Sequence, residues 1–226
     1  MGSLIIRPTY TNTLSLSGWP GLRDRALFHF WWWFNRIYNR TWFWLRIEGA
    51  ENLPNDGPAL LVSNHVGFLD ASIISAASRR RVSFMIAREY YDMRIVHWFC
   101  EYLSCIPVNR SGEDIAAVKG TLKNLRKGML VVVFPEGGLT EETGKGDAKM
   151  GVGLLALRSG VPVIPVFLGD YPLQSIARTA LLPKRTFIRI GEPLEFAGED
   201  YKNRESLARV TDTIWLAVQK LSEIQS

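Results

Sequence analysis

Cysteine is almost missing from this chain: Cys100 and Cys105 are the only two in 226 residues. Both sit in an apolar, aromatic context, which suits reduced core thiols better than a disulfide framework or a metal pair. Neither a metal nor a bound cofactor is expected, and reduced thiols fit a reducing compartment. Long apolar runs are missing too. None reaches the ~20 residues needed to span a bilayer as a helix. The longest early run, Ala26 to Phe34, is interrupted by His29. Met1 to Ser17 has no long apolar segment after its single arginine, unlike a secretory signal. The chain is therefore expected to be neither exported nor integral to a membrane. It has no Gly-x-Ser-x-Gly turn, which argues against a serine hydrolase. No RNA-binding signature or zinc spacing appears, so nucleic acid is not an expected partner. Internal repeats and linkers are also absent.

What the chain does have is charge and tryptophan. A formal net charge of +5 suits an anionic partner such as a membrane surface or a phosphorylated substrate. The hydrophobic share of 47% is ordinary for a globular protein. Most of the eight tryptophans fall near the start. Within residues 22–45, helical spacing collects Arg25, His29, Arg36 and Arg40 in one stripe. It places Leu27, Phe30, Trp33, Phe34, Ile37, Tyr38 and Trp44 on the opposite side. A helix that merely packs on a core has a similar pattern. The wide aromatic band bordered by arginine favours a helix lying in the membrane interface, with Trp31, Trp32, Trp33, Arg36 and Arg40 as its contacts.

From Arg46 onward, short apolar runs alternate with helical periods. Strands are expected at 46–49, 59–62, 83–87, 106–108, 129–134, 161–167 and 186–190, with helices at 70–78, 94–103, 113–127, 151–159 and 204–221. This alternation implies an α/β fold: a mostly parallel central sheet flanked by helices, preceded by the amphipathic membrane-interface helix. Residues 1–45 are read as an N-terminal arm and membrane-association helix, and 46–226 as one domain.

The stretch Ser63-Asn64-His65-Val66-Gly67-Phe68-Leu69-Asp70 follows the strand 59–62 and opens a helix. On one continuous helix, His65 and Asp70 would point roughly 140° apart. They meet only if the chain turns between them, and Gly67 suits such a turn. A carboxylate on one imidazole nitrogen fixes the tautomer and leaves the other to accept a proton, which activates a hydroxyl. Taken alone, the spacing suits equally an N-capping Asp70 and a loop histidine. A second motif, Phe134-Pro135-Glu136-Gly137-Gly138-Leu139-Thr140, follows the most apolar strand. Glu136, His65 and Arg110 would each lie just past the C-terminal end of a strand, the edge where open α/β sheets bind ligands.

These blocks resemble the glycerophospholipid acyltransferases, whose central member is 1-acylglycerol-3-phosphate acyltransferase. Asn64 to Asp70 is similar to the family's His-x4-Asp block. Ile106-Pro107-Val108-Asn109-Arg110 resembles the second block, Val133-Phe134-Pro135-Glu136-Gly137 the third, and Val161 to Val166 the fourth; Ala148-Lys149-Met150-Gly151 resembles the Lys-x-Gly element. The resemblance implies catalysis by His65 and Asp70, with substrate contacts from Asn64, Arg110, Glu136, Gly137 and Lys149. It also implies a thioester co-substrate, acyl-CoA or acyl-carrier protein, and a lysolipid acceptor. The expected location is the cytoplasmic face of a membrane, held peripherally. Members that form phosphatidic acid usually continue the third block as Gly-Thr-Arg-Ser, whereas this chain has Gly137-Gly138-Leu139-Thr140, closer to lysophosphatidylethanolamine acyltransferases. Two other readings remain at this stage: a non-catalytic lipid-binding protein at the membrane surface, and an acyl-thioesterase.

Overall fold

A computed structural model describes residues 22–109, 114–135, 151–169 and 185–224. Among the described residues the strands are β1 (Arg46–Glu48), β2 (Ala59–Ser63), β3 (Val82–Ala87), β4 (Ile106–Val108), β5 (Leu130–Val133), β6 (Val163–Leu168) and β7 (Phe187–Ile190). The helices are α1 (Leu22–Trp42), α2 (Asp70–Ala77), α3 (Arg88–Tyr91), α4 (Arg94–Tyr102), α5 (Ile115–Arg126), α6 (Gly151–Ser159) and α7 (Arg204–Glu223). The periods that mark them in the sequence hold to within two residues at most ends. The short helix α3 is an addition, because four residues are too few to show a period.

The seven strands form one sheet in the order β1-β7-β6-β2-β5-β3-β4. β6, β2, β5, β3 and β4 run parallel to one another. β7 lies antiparallel to β6, and β1 is parallel to β7. The expected mostly parallel sheet is therefore present, with a reversed pair at one edge. Side-chain alternation along β2 feeds two cores. Ala59 and Leu61 pack with Ile73 and Ile74 of α2 and Cys100 of α4. Leu60 and Val62 pack on the other face with Leu122 of α5, Leu155 of α6 and Ile214 of α7. Because both faces are covered, β2 and β5 are apolar at nearly every position and almost wholly buried. Cys100 and Cys105 are free and buried, and their thiols hydrogen-bond to one another. That contact and burial push the Cys105 thiol pKa up, whereas Cys105 pulls Cys100 down.

At the N-terminal edge of the sheet a single guanidinium joins three segments. Arg80, just before β3, donates to the carbonyls of Pro54 (3.0 Å) and Gly57 (2.7 Å), which precede β2. It also donates to Gly128 (2.6 Å), which precedes β5. Burial lowers the pKa of Arg80, and nearby Asp56 opposes that shift.

The helix α1 lies on α2 with its polar side inward. Asn39 is 0% exposed and Asn35 6%. Asn35 Nδ2 donates to the Ser72 carbonyl (2.9 Å), and Asn39 Nδ2 donates to Ser72 Oγ (3.0 Å). Trp32 Nε1 donates to the carbonyl of Ser78, and Arg36 Nη1 to that of Ala76 (2.7 Å). The Trp31 ring packs against Phe99 of α4. Of the expected membrane contacts Trp31, Trp32, Trp33, Arg36 and Arg40, three thus pack against or bond to the protein. Positions 32, 35, 36 and 39 share one helical stripe, and that stripe is the one seated on α2. Trp33 and Arg40 do point away from the protein. So do Phe30, Phe34 and Ile37, each more than half exposed. Among the described residues no helix is long and apolar enough to cross a membrane.

Candidate active site

β2 carries the site to the C-terminal edge of the sheet. Just past its end, Asn64 bonds the last residue of β6: Nδ2 donates to the Leu168 carbonyl (2.9 Å), and Leu168 N–H donates to Oδ1 (2.8 Å). The side-chain amide thus extends the β2–β6 ladder after the backbone has left it. Asn64, expected as a substrate contact, has both ends of its amide engaged with backbone.

The chain then folds back on itself between His65 and Asp70. Asp70 is 1% exposed, and its carboxylate is the centre of the turn. Oδ2 accepts from His65 Nδ1 (2.6 Å) and from Val66 N–H (2.8 Å). Gly67 N–H donates to both carboxylate oxygens at 3.2 Å. The turn does not use a left-handed glycine, because the described glycines with positive φ are Gly49, Gly57, Gly128, Gly160 and Gly198. What closes it is the carboxylate gathering the loop N–H groups. Asp70 is therefore not acting as a side-chain cap of α2; Leu69 holds the cap position, with no side-chain cap bond. A carboxylate that only accepts, already taking two backbone N–H groups, makes Nδ1 the protonated imidazole nitrogen. Nε2 is then the basic one. The His65 side chain is 26% exposed, open enough for a substrate hydroxyl to reach.

β5, the neighbour of β2, contributes Phe134, whose ring stacks on the His65 imidazole at 4.4 Å between centroids and 22° between planes. Sequence reading singled out Glu136 in this segment and missed Phe134. Its signal is the β2–β5 register, Val62 opposite Val133, which puts Ser63 opposite Phe134 and on the face His65 shares. A register is not visible in one chain read linearly.

A model of the family described as "Acyltransferase" matches residues 45–169, more than half of the chain. The chain belongs to that acyltransferase family. It is 32% identical over 127 residues to the chloroplast 1-acyl-sn-glycerol-3-phosphate acyltransferase of Arabidopsis thaliana, covering 55% of this chain and 35% of that protein. It is 24% identical to the 1-acyl-sn-glycerol-3-phosphate acyltransferase of Bacillus subtilis, over 78% of this chain and 87% of that one. The chain thus spans about a third of the plant relative and most of the bacterial one. In fold it is similar to the crystal structure of the 1-acyl-sn-glycerophosphate acyltransferase PlsC from Thermotoga maritima. The TM-score is 0.67 at 24% identity, covering 90% of this chain and 84% of that one.

Two serines near the dyad of this acyltransferase have other partners. Ser63 Oγ donates to the Asn64 carbonyl (3.0 Å) and Ser72 Oγ to Asn35 Oδ1 (2.7 Å). The N–H groups of Val66 and Gly67 are both engaged by the Asp70 carboxylate. Arg110, Glu136, Gly137 and Lys149 lie outside the described residues.

The described residues that flank 110–113, Asn109 and Asp114, are bonded to each other. Asp114 caps α5: Oδ1 accepts from Ala117 N–H (2.9 Å), and Oδ2 from Asn109 N–H (2.7 Å). Arg88 Nε donates to Asn109 Oδ1 (3.0 Å). The bonds from Asn109 and Ala117 hold the Asp114 carboxyl below its ordinary pKa of 3.8. A depressed carboxyl stabilises the fold above its unfolded pKa and loses that contribution as pH falls through the folded value. Asp114→Ala is expected to cost about 1 kcal/mol near neutral pH, as for other lost N-caps. In urea unfolding the gap to the parent should close as pH drops below about 4. A gap independent of pH over that range would refute the capping role.

Proposed function

We propose that this acyltransferase moves a fatty acyl group from a thioester, acyl-CoA or acyl-carrier protein, to the hydroxyl of a lysophospholipid, as a 1-acylglycerol-3-phosphate-type enzyme. The observation that carries the reading is the His65–Asp70 pair, with Nδ1 held by a buried carboxylate at the ligand-binding edge of a parallel sheet. His65 Nε2 takes the proton of the acceptor hydroxyl as its oxygen bonds to the thioester carbonyl carbon. Asp70 holds the ring and stabilises the imidazolium. Collapse of the tetrahedral intermediate breaks the C–S bond. The thiolate is a good leaving group because its conjugate acid has a pKa near ~8.5. The imidazolium proton then returns to the thiolate or to water. No acyl-enzyme is needed, and Ser63 and Ser72 are not its nucleophiles.

The acceptor is drawn from a membrane, on whose surface the protein sits peripherally, on the cytoplasmic side. What supports this is the inverted α1, which buries Asn35 and Asn39 and turns Phe30, Trp33, Phe34 and Ile37 outward. Water is a poor solvent for such a face, whereas the interfacial zone of a bilayer suits it. Arg40 on the same helix supplies charge for lipid phosphate.

The acceptor we propose is a lysolipid with a phosphodiester headgroup, or one without phosphate, in preference to lysophosphatidic acid, because Leu139 stands where an arginine is usual. A phosphomonoester approaches a charge of −2 near neutral pH, so one fewer fixed cation penalises it more. A charge-assisted contact is worth ~1.5–3 kcal/mol, or roughly one to two decades in kcat/KM. The test offers lysophosphatidic acid, lysophosphatidylethanolamine and lysophosphatidylcholine with acyl-CoA and identifies products by mass spectrometry. An acylated lysolipid supports the reading, and thiol release equal with and without acceptor would mark a thioesterase instead. Leu139→Arg is expected to raise turnover of lysophosphatidic acid relative to the diester. A strong parental preference for lysophosphatidic acid would show that position 139 does not set the acceptor.

A further inference from the structure

The geometry points to Phe134 as a positioning residue for the general base, a role that rests on the reading of His65 given above. An imidazole fixed only by its Nδ1–H bond to Asp70 can still rock about that bond, sweeping Nε2 out of line with the acceptor hydroxyl. The stacked Phe134 ring closes off one face of the imidazole, at 4.4 Å and 22°. Phe134 is itself held, because it is partly buried against the core cluster that contains Val66 and Ile73. Hydrogen bond and stack are at right angles to each other, so together they fix both the in-plane direction and the plane of the ring. The stack has an electrostatic consequence as well. When Nε2 takes the proton, the cation forms over the negative face of an aromatic ring, which attracts it. An aliphatic side chain of similar volume would fill the space without that attraction.

Phe134→Leu separates the two contributions from simple packing. It is expected to lower kcat about three- to ten-fold with KM for both substrates unchanged, tested with palmitoyl-CoA and either lysophosphatidic acid or lysophosphatidylethanolamine. The acidic limb of its kcat–pH profile should move to lower pH, because the imidazolium loses a stabilising neighbour. Phe134→Tyr and Phe134→Trp should restore both kcat and the limb. A readout independent of turnover is the NMR shift of the His65 ring protons, traceable because the chain has only three histidines. These protons should move downfield in Phe134→Leu as the ring current is lost, and stay near the parental position in Phe134→Tyr. The inference is overturned if Phe134→Leu keeps the parental kcat, pH profile and ring shifts, or if Leu and Tyr variants behave alike. His65→Ala tells that failure from failure of the parent reading. If it is inactive while Phe134→Leu is normal, only the stacking role falls; if it is active, the general-base assignment falls as well.

Discussion

His65→Ala should lose two to four decades of turnover with its fold intact, on the order of what general-base catalysis supplies. The side chain is 26% exposed, so its removal opens no sealed cavity, and the variant should still fold and unfold cooperatively, losing only the bond to Asp70. Asp70 needs a more careful substitution. Its carboxylate serves His65 and two backbone N–H groups at once. Asp70→Ala would orphan buried donors at about 1–3 kcal/mol each, confusing stability with catalysis. Asp70→Asn keeps the shape and one acceptor. Its amide cannot serve Nδ1–H and both backbone donors as a carboxylate does, and an N–H directed at Nδ1 would favour the opposite tautomer. Nε2 would then carry the proton and could not act as the base. A fall of about two decades or more in kcat is expected, with smaller changes in KM. Near-parental turnover by either purified variant would dismiss the mechanism.

The second large effect belongs to the outward face of α1. Replacing Phe30, Trp33 and Phe34 by serine removes three large side chains that are 73%, 59% and 65% exposed. At about 1 kcal/mol for each partly inserted side chain, vesicle partitioning should fall by roughly two decades. Activity on a monomeric short-chain acceptor should stay near the parental value, because the bonds from Trp32, Asn35, Arg36 and Asn39 to α2 are retained. Arg40→Glu should weaken binding to anionic vesicles most, and less as salt rises. Trp32→Ser is the contrasting variant. It should destabilise the helix seat and change partitioning less. Sedimentation of the triple variant with vesicles like the parent would show that this face meets something other than lipid.

Much of this was legible from the residues. The runs Ala59–Val62 and Met129–Phe134 read as buried strands, and they are β2 and β5. His65 and Asp70 were expected to meet across a turn, and they do, at 2.6 Å. What escaped depends on which elements become neighbours. The inward seat of α1 was not legible, because Asn35 and Arg36 find their partners on α2, some 40 residues away in sequence. The bonds of Asn64 to Leu168 were equally hidden, because nothing in the chain announces that Leu168 ends the adjacent strand. The reversed direction of β7 has no signature in its four residues. Phe134 read as one more apolar residue of its strand.

Arg80 has a consequence that reaches across the sheet. Its planar fork ties the entrances of β2 and β5 at one edge, whereas His65 and Phe134 leave those strands at the other. The strands between are short: at about 3.3 Å per residue the five residues of β2 amount to some 16 Å of stiff, fully packed rod. β2 and β5 are also joined along their length by their own ladder, so Arg80 reinforces a register that the two strands already share. Lysine, a point charge without the fork, would not present two separate nitrogens to these three carbonyls. The same two strands thus carry a structural anchor at one end and the paired rings at the other.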